Sequence, residues 1–312
     1  MLYIIGHTNP DLDTSVAALS LKYLFDKASC FERPNSRAVL AGKANFETET
    51  IFKKFKTPLL PVLNFRKIRP QDTFALVDHN EESQRLQGIK DEQITDIFDH
   101  HKAKLDLATP IFVNIKAWGS TTTVISWFMD TVNVKPPKKL ASLMISAILS
   151  DTQGFKSNTT TEKDRLTVKS LNKIAQIKNL DKLTFEIFEA KSSLKGLNDR
   201  QILTKDYKLY DFKAKKVLLN QIETVRQDQV IKISSRLITE LACLKREMNL
   251  NYAACIITDI LKNNSKVLIT KNEEPILKKA FARLRKVKTG IYDIGPLLSR
   301  KKDIAPKIER AI

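Results

Sequence analysis

The stretch "ITDIFDHHK", residues 94–102, is an apolar run that ends abruptly in an aspartate and two histidines. Short apolar runs that end in polar clusters are typical of buried strands in a parallel sheet. The same pattern occurs in "LYIIGH", residues 2–7, and in "FALVDH", residues 74–79. Each run predicts a strand that delivers acidic or imidazole side chains at its carboxyl end.

Helical patterns follow these runs along the first half of the chain. "TSVAALSLKYLF", residues 14–25, places its apolar side chains at helical spacing. "LASLMISAILSDT", residues 140–152, predicts a strongly apolar helix that delivers Asp151 at its end. The alternation of strands and helices predicts an α/β fold with a parallel, Rossmann-like sheet. In such sheets the chemistry lies beyond the carboxyl ends of the strands.

The second half of the chain has a different pattern of predicted strands and helices. "AKSSLKGLN", residues 190–198, is small and polar and predicts a linker. The runs that follow predict a smaller α/β domain with a mixed sheet: strands in "KVLLNQIETV" (216–225) and "AACIITDIL" (253–261), helices in "QVIKISSRLITELACLKREM" (229–248) and "PILKKAFARLRKV" (275–287). We therefore expect a catalytic domain at residues 1–189 and a second domain at residues 199–312. The length of 312 residues suits two domains better than one core.

Composition excludes several classes of protein. Hydrophobic residues make up 42% of the chain, too many for a disordered protein. No apolar run approaches the roughly 20 residues of a membrane span, and the first residues lack the features of a secretion signal. The cysteines, Cys30, Cys243 and Cys255, show neither a zinc spacing nor a disulfide framework. We expect a cytoplasmic protein that does not bind a membrane.

The net charge of +18 raises the question of a polyanionic partner. The lysines are spread along the whole chain, and no run of five or six like charges occurs. A solvated, lysine-rich surface is therefore the simpler interpretation, and we do not expect nucleic-acid binding. A basic nucleic-acid-binding protein would also leave the acidic clusters unexplained.

Four clusters combine acids with histidines or hydroxyls: "GHTNPDLD" (6–13), "VDHNE" (77–81), "DHHK" (99–102) and "SDTQGFKS" (150–157). One such cluster alone would most simply be a turn or a surface feature. All four histidines of the chain lie in the clusters, however, and each has an aspartate close by. Imidazole and carboxylate donors without thiolate favour manganese or cobalt. The surplus of carboxylates favours two ions that share a ligand, as in phosphoryl transfer.

The motif "DHHK" resembles the signature of the DHH phosphoesterase superfamily. Together with "GSTTT" (119–123), "SAILSDTQGFKSNTTTEKD" (146–164) and "SRKK" (299–302), it resembles the manganese-dependent, family II inorganic pyrophosphatases along nearly the whole chain. The resemblance implies hydrolysis of pyrophosphate to two orthophosphates by a hydroxide that bridges two metal ions. It also implies two Mn²⁺ per subunit with Co²⁺ as an alternative, Mg²⁺ with the substrate, and a homodimer joined through the DHH domain.

Site residues follow from the same resemblance, position by position. One ion would be held by His7, Asp11 and Asp78, and the other by Asp13, Asp78, His100 and Asp151, so that Asp78 bridges them. His101 and Asp13 are implied as catalytic residues, with His101 facing the substrate. Lys208, Arg300 and Lys301 are implied as substrate-binding residues from the second domain. Asp99 and His79 are expected to fix the orientation of the ligand rings.

Two related activities remain as alternatives. Exopolyphosphatases of the same branch usually carry an asparagine where His7 stands here. DHH enzymes that act on nucleotides usually carry a second domain with adjacent glycines, whereas the eight glycines of this chain are never adjacent. Both features favour pyrophosphate as the substrate.

Overall fold

The structure is a computed structural model that describes residues 1–28, 33, 35–107 and 109–312. Cys30 lies outside the described residues. The described chain divides into two compact units, Met1–Ala190 and Lys191–Ile312. Helix α6 (Leu180–Lys191) covers the first two residues of the predicted linker, and residues 192–198 connect it to the next helix. The exact domain boundaries stay a prediction.

The first unit is built on a parallel sheet, as the sequence predicts. Its strands, among the described residues, are β1 (Leu2–Ile5), β2 (Ser36–Val39), β3 (Thr73–Val77), β4 (Ile94–Asp99) and β5 (Phe112–Ile115). They lie in the order β2-β1-β3-β4-β5, and each neighbouring pair is parallel. The helices are α1 (Leu12–Lys27), α2 (Phe46–Lys54), α3 (Thr121–Thr131), α4 (Lys138–Asp151), α5 (Glu162–Ala175) and α6.

The two faces of this sheet bury different partners. Successive strand residues point to opposite faces, so Ile4 and Val77 pack with α1, α3 and α4, while Ile5 and Leu76 pack on the other side. The second face is covered by loop residues such as Leu63 rather than by a layer of helices. Because β1, β3 and β4 are adjacent and parallel, the polar residues that follow them lie together at the carboxyl ends of these strands.

The second unit contains a mixed sheet. Its strands, within residues 191–312, are β6 (Tyr207–Phe212), β7 (Lys215–Thr224), β8 (Tyr252–Asp259), β9 (Asn264–Ile269), β10 (Arg285–Lys288) and β11 (Ile291–Gly295). They lie in the order β10-β11-β9-β8-β7-β6, in which β7 and β8 are parallel and the other described neighbouring pairs of this sheet are antiparallel. Helices α7 (Asp199–Thr204), α8 (Gln227–Lys232) and α9 (Ser234–Glu247) pack on one face, α10 (Glu274–Ala280) and α11 (Ala305–Ala311) on the other.

Two of the predicted helices of this unit were wrong in extent. The helix predicted at 275–287 ends at Ala280, because Phe281 turns extended and buries its ring in the core beneath α10. The last part of that segment forms the edge strand β10. The helix predicted at 229–248 is interrupted at Ile233, where the buried Ser234 hydroxyl donates to the Ile231 carbonyl oxygen. Tertiary packing overrides local helix propensity in both places.

No helix among the described residues is both long enough and apolar enough to span a bilayer.

Candidate metal centre

The predicted ligands of the first unit meet at one edge of its sheet. His7 follows β1, Asp78 follows β3 and His100 follows β4, so the carboxyl ends of three adjacent parallel strands supply them. Asp11 is the N-cap of α1, where its side chain accepts a hydrogen bond from the Thr14 backbone N–H at 2.9 Å. Asp151 is the last residue of α4.

Asp78 lies at the centre of this arrangement and adopts a positive φ of 61°. His7 Nε2 lies 3.6 Å from Asp78 Oδ2, and His100 Nε2 lies 3.5 Å from Asp78 Oδ1. Behind the carboxylate, the hydroxyls of Thr14 and Thr121 donate to Oδ2 at 2.6 Å and Oδ1 at 2.9 Å. Each oxygen thus has a hydroxyl donor on one side and an imidazole on the other.

Asp13 is buried and held by the loop that begins α3. Its Oδ1 accepts hydrogen bonds from Ser120 Oγ at 2.7 Å and the Thr122 N–H at 3.1 Å. Its Oδ2 accepts a bond of 2.7 Å from the Thr121 N–H. These contacts fix the carboxylate in one orientation at 1% exposure.

In the described part of the chain, three groups of side chains each bring donor atoms within 4.8 Å of one another. They are His7 with Asp11 and Asp78, Asp13 with His100 and Asp151, and Asp78 with His100 and His101. The first two groups contain all six predicted metal ligands. The carboxylate of Asp78 lies between them, in contact with both His7 and His100.

Asp99 and His79 were expected to orient the rings of the ligand histidines, and the structure shows partly different partners. His100 Nδ1 lies 3.0 Å from the Trp118 carbonyl oxygen, which fixes that ring. Asp99 Oδ1 instead lies 2.9 Å from His101 Nδ1. The expected role of His79 was wrong, because its Nδ1 faces the Val77 carbonyl oxygen at 2.9 Å and its buried Nε2 has no partner among the described residues.

The electrostatics of the centre show an excess of negative charge. Burial and the charge of Asp78 raise the pKa of Asp13 to about 7. Burial and the charge of Asp13 raise the pKa of Asp151 well above its usual range. Burial opposes ionisation of Asp78, yet the imidazoles of His100 and His7 lower its pKa. Burial opposes protonation of His100, but the contact with Asp78 raises its pKa. Without a bound cation, protons offset the crowded carboxylates.

A cavity of about 410 Å³ opens over the centre. His7, Asp11, Asp78, His101 and Asp151 line it, together with Thr8, Asn9, Ser83 and Gln84. Asp13 is buried, and the side chain of His100 is 10% exposed. The cavity therefore exposes donors from both groups to a ligand in solution.

Three of the predicted substrate residues lie in the second unit, where Lys208 and Arg300 both lie next to Leu219. Lys208 on β6 is exposed and pairs with Leu219 on β7. Arg300 is buried, at 8% exposure. Its guanidinium donates to the Leu219 carbonyl oxygen at 3.3 Å and to the Asp206 carbonyl and carboxylate oxygens at 2.7 Å and 2.8 Å. The neighbouring Lys301 is exposed.

Sequence reasoning assigned no role to the residues that support the ligands. Ser120, Thr121 and Thr122 hold Asp13 and Asp78, and Asp164 in turn holds their loop. The Asp164 carboxylate accepts bonds from the Gly119 N–H at 3.0 Å and the Thr123 hydroxyl at 2.6 Å. The sequence feature that could have indicated this supporting role is the run of hydroxyl side chains in "GSTTT".

Comparison with family models identifies the class of protein. Residues 1–148 match the DHH family, N-terminal domain, and residues 185–311 match the DHHA2 domain. A parallel sheet that gathers aspartates and histidines at its carboxyl edge, followed by a DHHA2 domain, defines a protein of the DHH class.

Relatives of known name narrow the class to one family. The chain is 34% identical to the manganese-dependent inorganic pyrophosphatase of Methanocaldococcus jannaschii, over 100% of this chain and 99% of the relative. It is 31% identical to the enzyme of that name from Bacillus subtilis, over 100% and 98% of the two chains. The chain belongs to the family of manganese-dependent inorganic pyrophosphatases.

Solved structures agree with this placement. A Methanococcus jannaschii protein described as a family II inorganic pyrophosphatase matches with a TM-score of 0.64 at 33% identity, covering 100% of this chain and 99% of that one. An exopolyphosphatase-related protein from Bacteroides fragilis matches with a TM-score of 0.53 at 13% identity, covering 99% and 91%. The second likeness shows a shared fold alone.

Proposed function

We propose that this protein hydrolyses inorganic pyrophosphate to two orthophosphates with the help of two Mn²⁺ ions. The observation that carries the proposal is the position of Asp78, whose two oxygens face His7 and His100 in two separate donor groups. Paired metal sites with a shared ligand are suited to displacement at phosphorus. The names of the relatives supply the substrate and the metal.

The donor set fits manganese. It consists of carboxylate and imidazole atoms, and no cysteine joins the donor groups found among the described residues. The raised pKa values of Asp13 and Asp151 mark buried, mutually repelling carboxylates that need more positive charge than His100 provides. When bound, divalent ions supply that charge, polarise phosphate oxygens and help a water molecule to lose a proton near neutral pH. We assign His7, Asp11 and Asp78 to one ion, and Asp13, Asp78, His100 and Asp151 to the other, with Co²⁺ as an alternative to Mn²⁺.

His101 is the group we assign to proton donation. Asp99 engages its Nδ1, which leaves Nε2 as the ring nitrogen available to a phosphate. The hydrogen bond to Asp99 raises the pKa of His101, against the effect of partial burial. A protonated ring that lines the cavity can hydrogen-bond a phosphate oxygen and give its proton to the departing orthophosphate. Asp13, held by three donors, keeps its carboxylate fixed during this step.

We assign the positively charged side chains of the second unit to offsetting the negative charge of the substrate. The ammonium groups of Lys208 and Lys301 have no carboxylate within 4.0 Å in the described chain. Arg300 keeps a planar guanidinium beside them, positioned by Asp206. Pyrophosphate carries several negative charges, and two Mn²⁺ ions do not offset all of them. These cations and a substrate-bound Mg²⁺ would offset the remaining negative charge.

The proposal includes a homodimer formed through the first unit. β5 is an edge strand, and its Phe112 and Val113 are 36% and 42% exposed. An exposed apolar edge strand can pair with the same strand of a second copy. Val113→Lys is expected to convert the dimer into monomers in light scattering coupled to gel filtration, and an unchanged mass would exclude this interface. We also propose a cytoplasmic location, supported by the free thiols of Cys243 and Cys255.

Phosphate release tests the function directly. Purified protein would be assayed with pyrophosphate, tripolyphosphate and a nucleoside 3′,5′-bisphosphate, each with Mn²⁺ and with Mg²⁺ alone. We expect pyrophosphate with Mn²⁺ to be hydrolysed most efficiently. A higher specificity constant for tripolyphosphate or for the nucleotide would overturn the proposed substrate.

The shared ligand is tested by metal counting on the same preparations. Asp78→Asn is expected to lose both ions and activity, whereas His7→Ala is expected to lose chiefly one ion. Asp26→Asn, an exposed residue of α1, is the matched control for loss of one carboxylate. Two tightly bound ions in Asp78→Asn would exclude the bridging role.

A further inference from the structure

Positive charge is unevenly distributed between the two units. Residues 191–312 contain 27 lysines and arginines against 13 acids, whereas residues 1–190 contain 26 against 22. The proposed substrate residues account for only three of the cations in the second unit. Most of its surplus charge therefore has no assigned role.

Part of this surplus surrounds a cavity of about 330 Å³ between α9, the end of β9 and the β10–β11 hairpin. Lys271, Lys286 and Lys288 line it, and none of the three has a carboxylate within 4.0 Å among residues that the structure describes. Glu274 also lines the cavity, but it is ion-paired with Lys278 at 2.9 Å. Glu274 also interacts electrostatically with Lys286, but three lysines against one glutamate leave the lining with a net positive charge.

The floor of the cavity is apolar. Ile269 and Tyr292 are 1% and 3% exposed, and Ile238 reaches in from α9. Gly290, at a φ of +74°, lets the hairpin lie against this helix, because a Cβ there would stand 2.8 Å from Ile238 Cδ1. The cavity thus pairs an apolar surface with a cationic rim.

This cavity is separate from the proposed substrate residues. Its walls come from β9, β10 and β11 at one edge of the six-stranded sheet described for residues 191–312, whereas Lys208 lies on β6 at the opposite edge. Strands are spaced by about 4.8 Å, so β10 and β6 lie roughly 24 Å apart. A ligand of this size class cannot occupy both places.

We propose that this cavity binds a small organic phosphate of the nucleoside diphosphate type. The three ammonium groups would bind the phosphates as point charges, and the flat face of the base would lie on Ile238 above the apolar floor. The volume lies at the lower end of the range of about 300–1,000 Å³ that is usual for small-molecule pockets. An inorganic phosphate chain would match the rim but would leave the apolar floor uncovered.

Titration calorimetry with adenosine diphosphate tests the proposal. The full-length, manganese-loaded protein would be titrated in the presence of saturating imidodiphosphate, which occupies the proposed substrate site. We expect one additional site per chain. Lys286→Ala/Lys288→Ala should weaken that binding roughly 10- to 100-fold, because two charge-assisted contacts are lost. Lys286→Arg/Lys288→Arg should retain it.

Matched controls separate this site from general attraction between charges. Lys215→Ala/Lys216→Ala removes the same charge at the start of β7 and should change the affinity by less than about twofold. Equal weakening in this control, no saturation at millimolar adenosine diphosphate, or equally tight binding of inorganic tripolyphosphate would each overturn the proposal. Heat is the readout, so a chain inactive on pyrophosphate would still give a decisive answer.

Discussion

The hydroxyl of Thr14 donates to Oδ2 of Asp78 at 2.6 Å, across 64 positions of sequence. Its methyl group lies beside Gly6, where a Cβ would stand 2.1 Å from Thr14 Cγ2. Thr14 therefore joins the start of α1 both to the end of β1 and to the central carboxylate of the metal centre.

Thr14→Val keeps the methyl contact and removes the hydroxyl. Because Asp78 then loses a hydrogen bond that fixes its orientation, we expect Mn²⁺ affinity to fall roughly 10- to 100-fold. Competition with a fluorescent chelator measures this change. Thr14→Ser should bind Mn²⁺ almost as well as the parent protein; parental affinity in Thr14→Val would show that the hydroxyl is dispensable.

Asp164→Asn should destabilise the first unit. The carboxylate accepts bonds from Gly119, Thr123 and Thr161, and an amide can accept at only one of its two positions. We expect a loss of roughly 2–4 kcal/mol in the free energy of unfolding, measured by urea denaturation of the metal-free protein. The exposed Asp181→Asn is the control. Equal stability of the two variants would contradict the assigned role of Asp164.

Mn²⁺ affinity should increase with pH. In the metal-free protein the pKa of Asp13 is raised to about 7, and the pKa values of Asp151, His7 and His100 are raised as well. Asp13 is therefore about half protonated near pH 7, and the raised pKa values shift the other three groups toward their protonated forms. A metal must displace these protons, so affinity falls as pH falls through 7. Each displaced proton contributes up to about tenfold per pH unit. Calorimetry in two buffers of different ionisation enthalpy counts the protons released, and a count of zero would refute the expectation.

Arg300→Ala should separate metal binding from turnover. The residue belongs to the second unit, so we expect unchanged Mn²⁺ content and a loss of roughly 2–4 kcal/mol in transition-state stabilisation, read from kcat/KM. Arg300→Lys should recover only part of it, since the planar contact with Asp206 is lost. Lys302→Ala, an exposed neighbour, serves as the control. Parental kinetics in Arg300→Ala would remove Arg300 from the substrate site.

The strand ends were predictable because a buried parallel strand has a simple signature. Apolar runs before His7, Asp78 and His100 place these residues at the same edge of a sheet whatever the details of packing. The alternation of strands and helices was likewise sufficient for the fold class. The pattern therefore brought the acids and histidines of the four clusters to one candidate site, and the family resemblance selected six of them as metal ligands and divided these between two ions.

The supporting contacts could not be predicted in the same way. Whether the Thr121 N–H meets Asp13 depends on where α3 begins in space, which local sequence does not encode. The ring of His100 is fixed by a backbone carbonyl, that of Trp118, and backbone groups look alike in every sequence. The segment 281–288 has helix-forming residues, yet Phe281 is buried in the core and Arg285–Lys288 pair with β11 as a strand.

The binding of Asp13 by residues 120–122 has a consequence for biosynthesis. His7, Asp11 and Asp13 leave the ribosome first, but Asp13 is not held in place until the start of α3 has been made. Asp151 follows later still. At about 5–20 residues per second, roughly 7–29 seconds separate the synthesis of His7 from that of Asp151. The nascent chain therefore cannot bring all six ligand candidates together before residue 151 has been made, and α5 and α6 of the first unit are synthesised only afterwards.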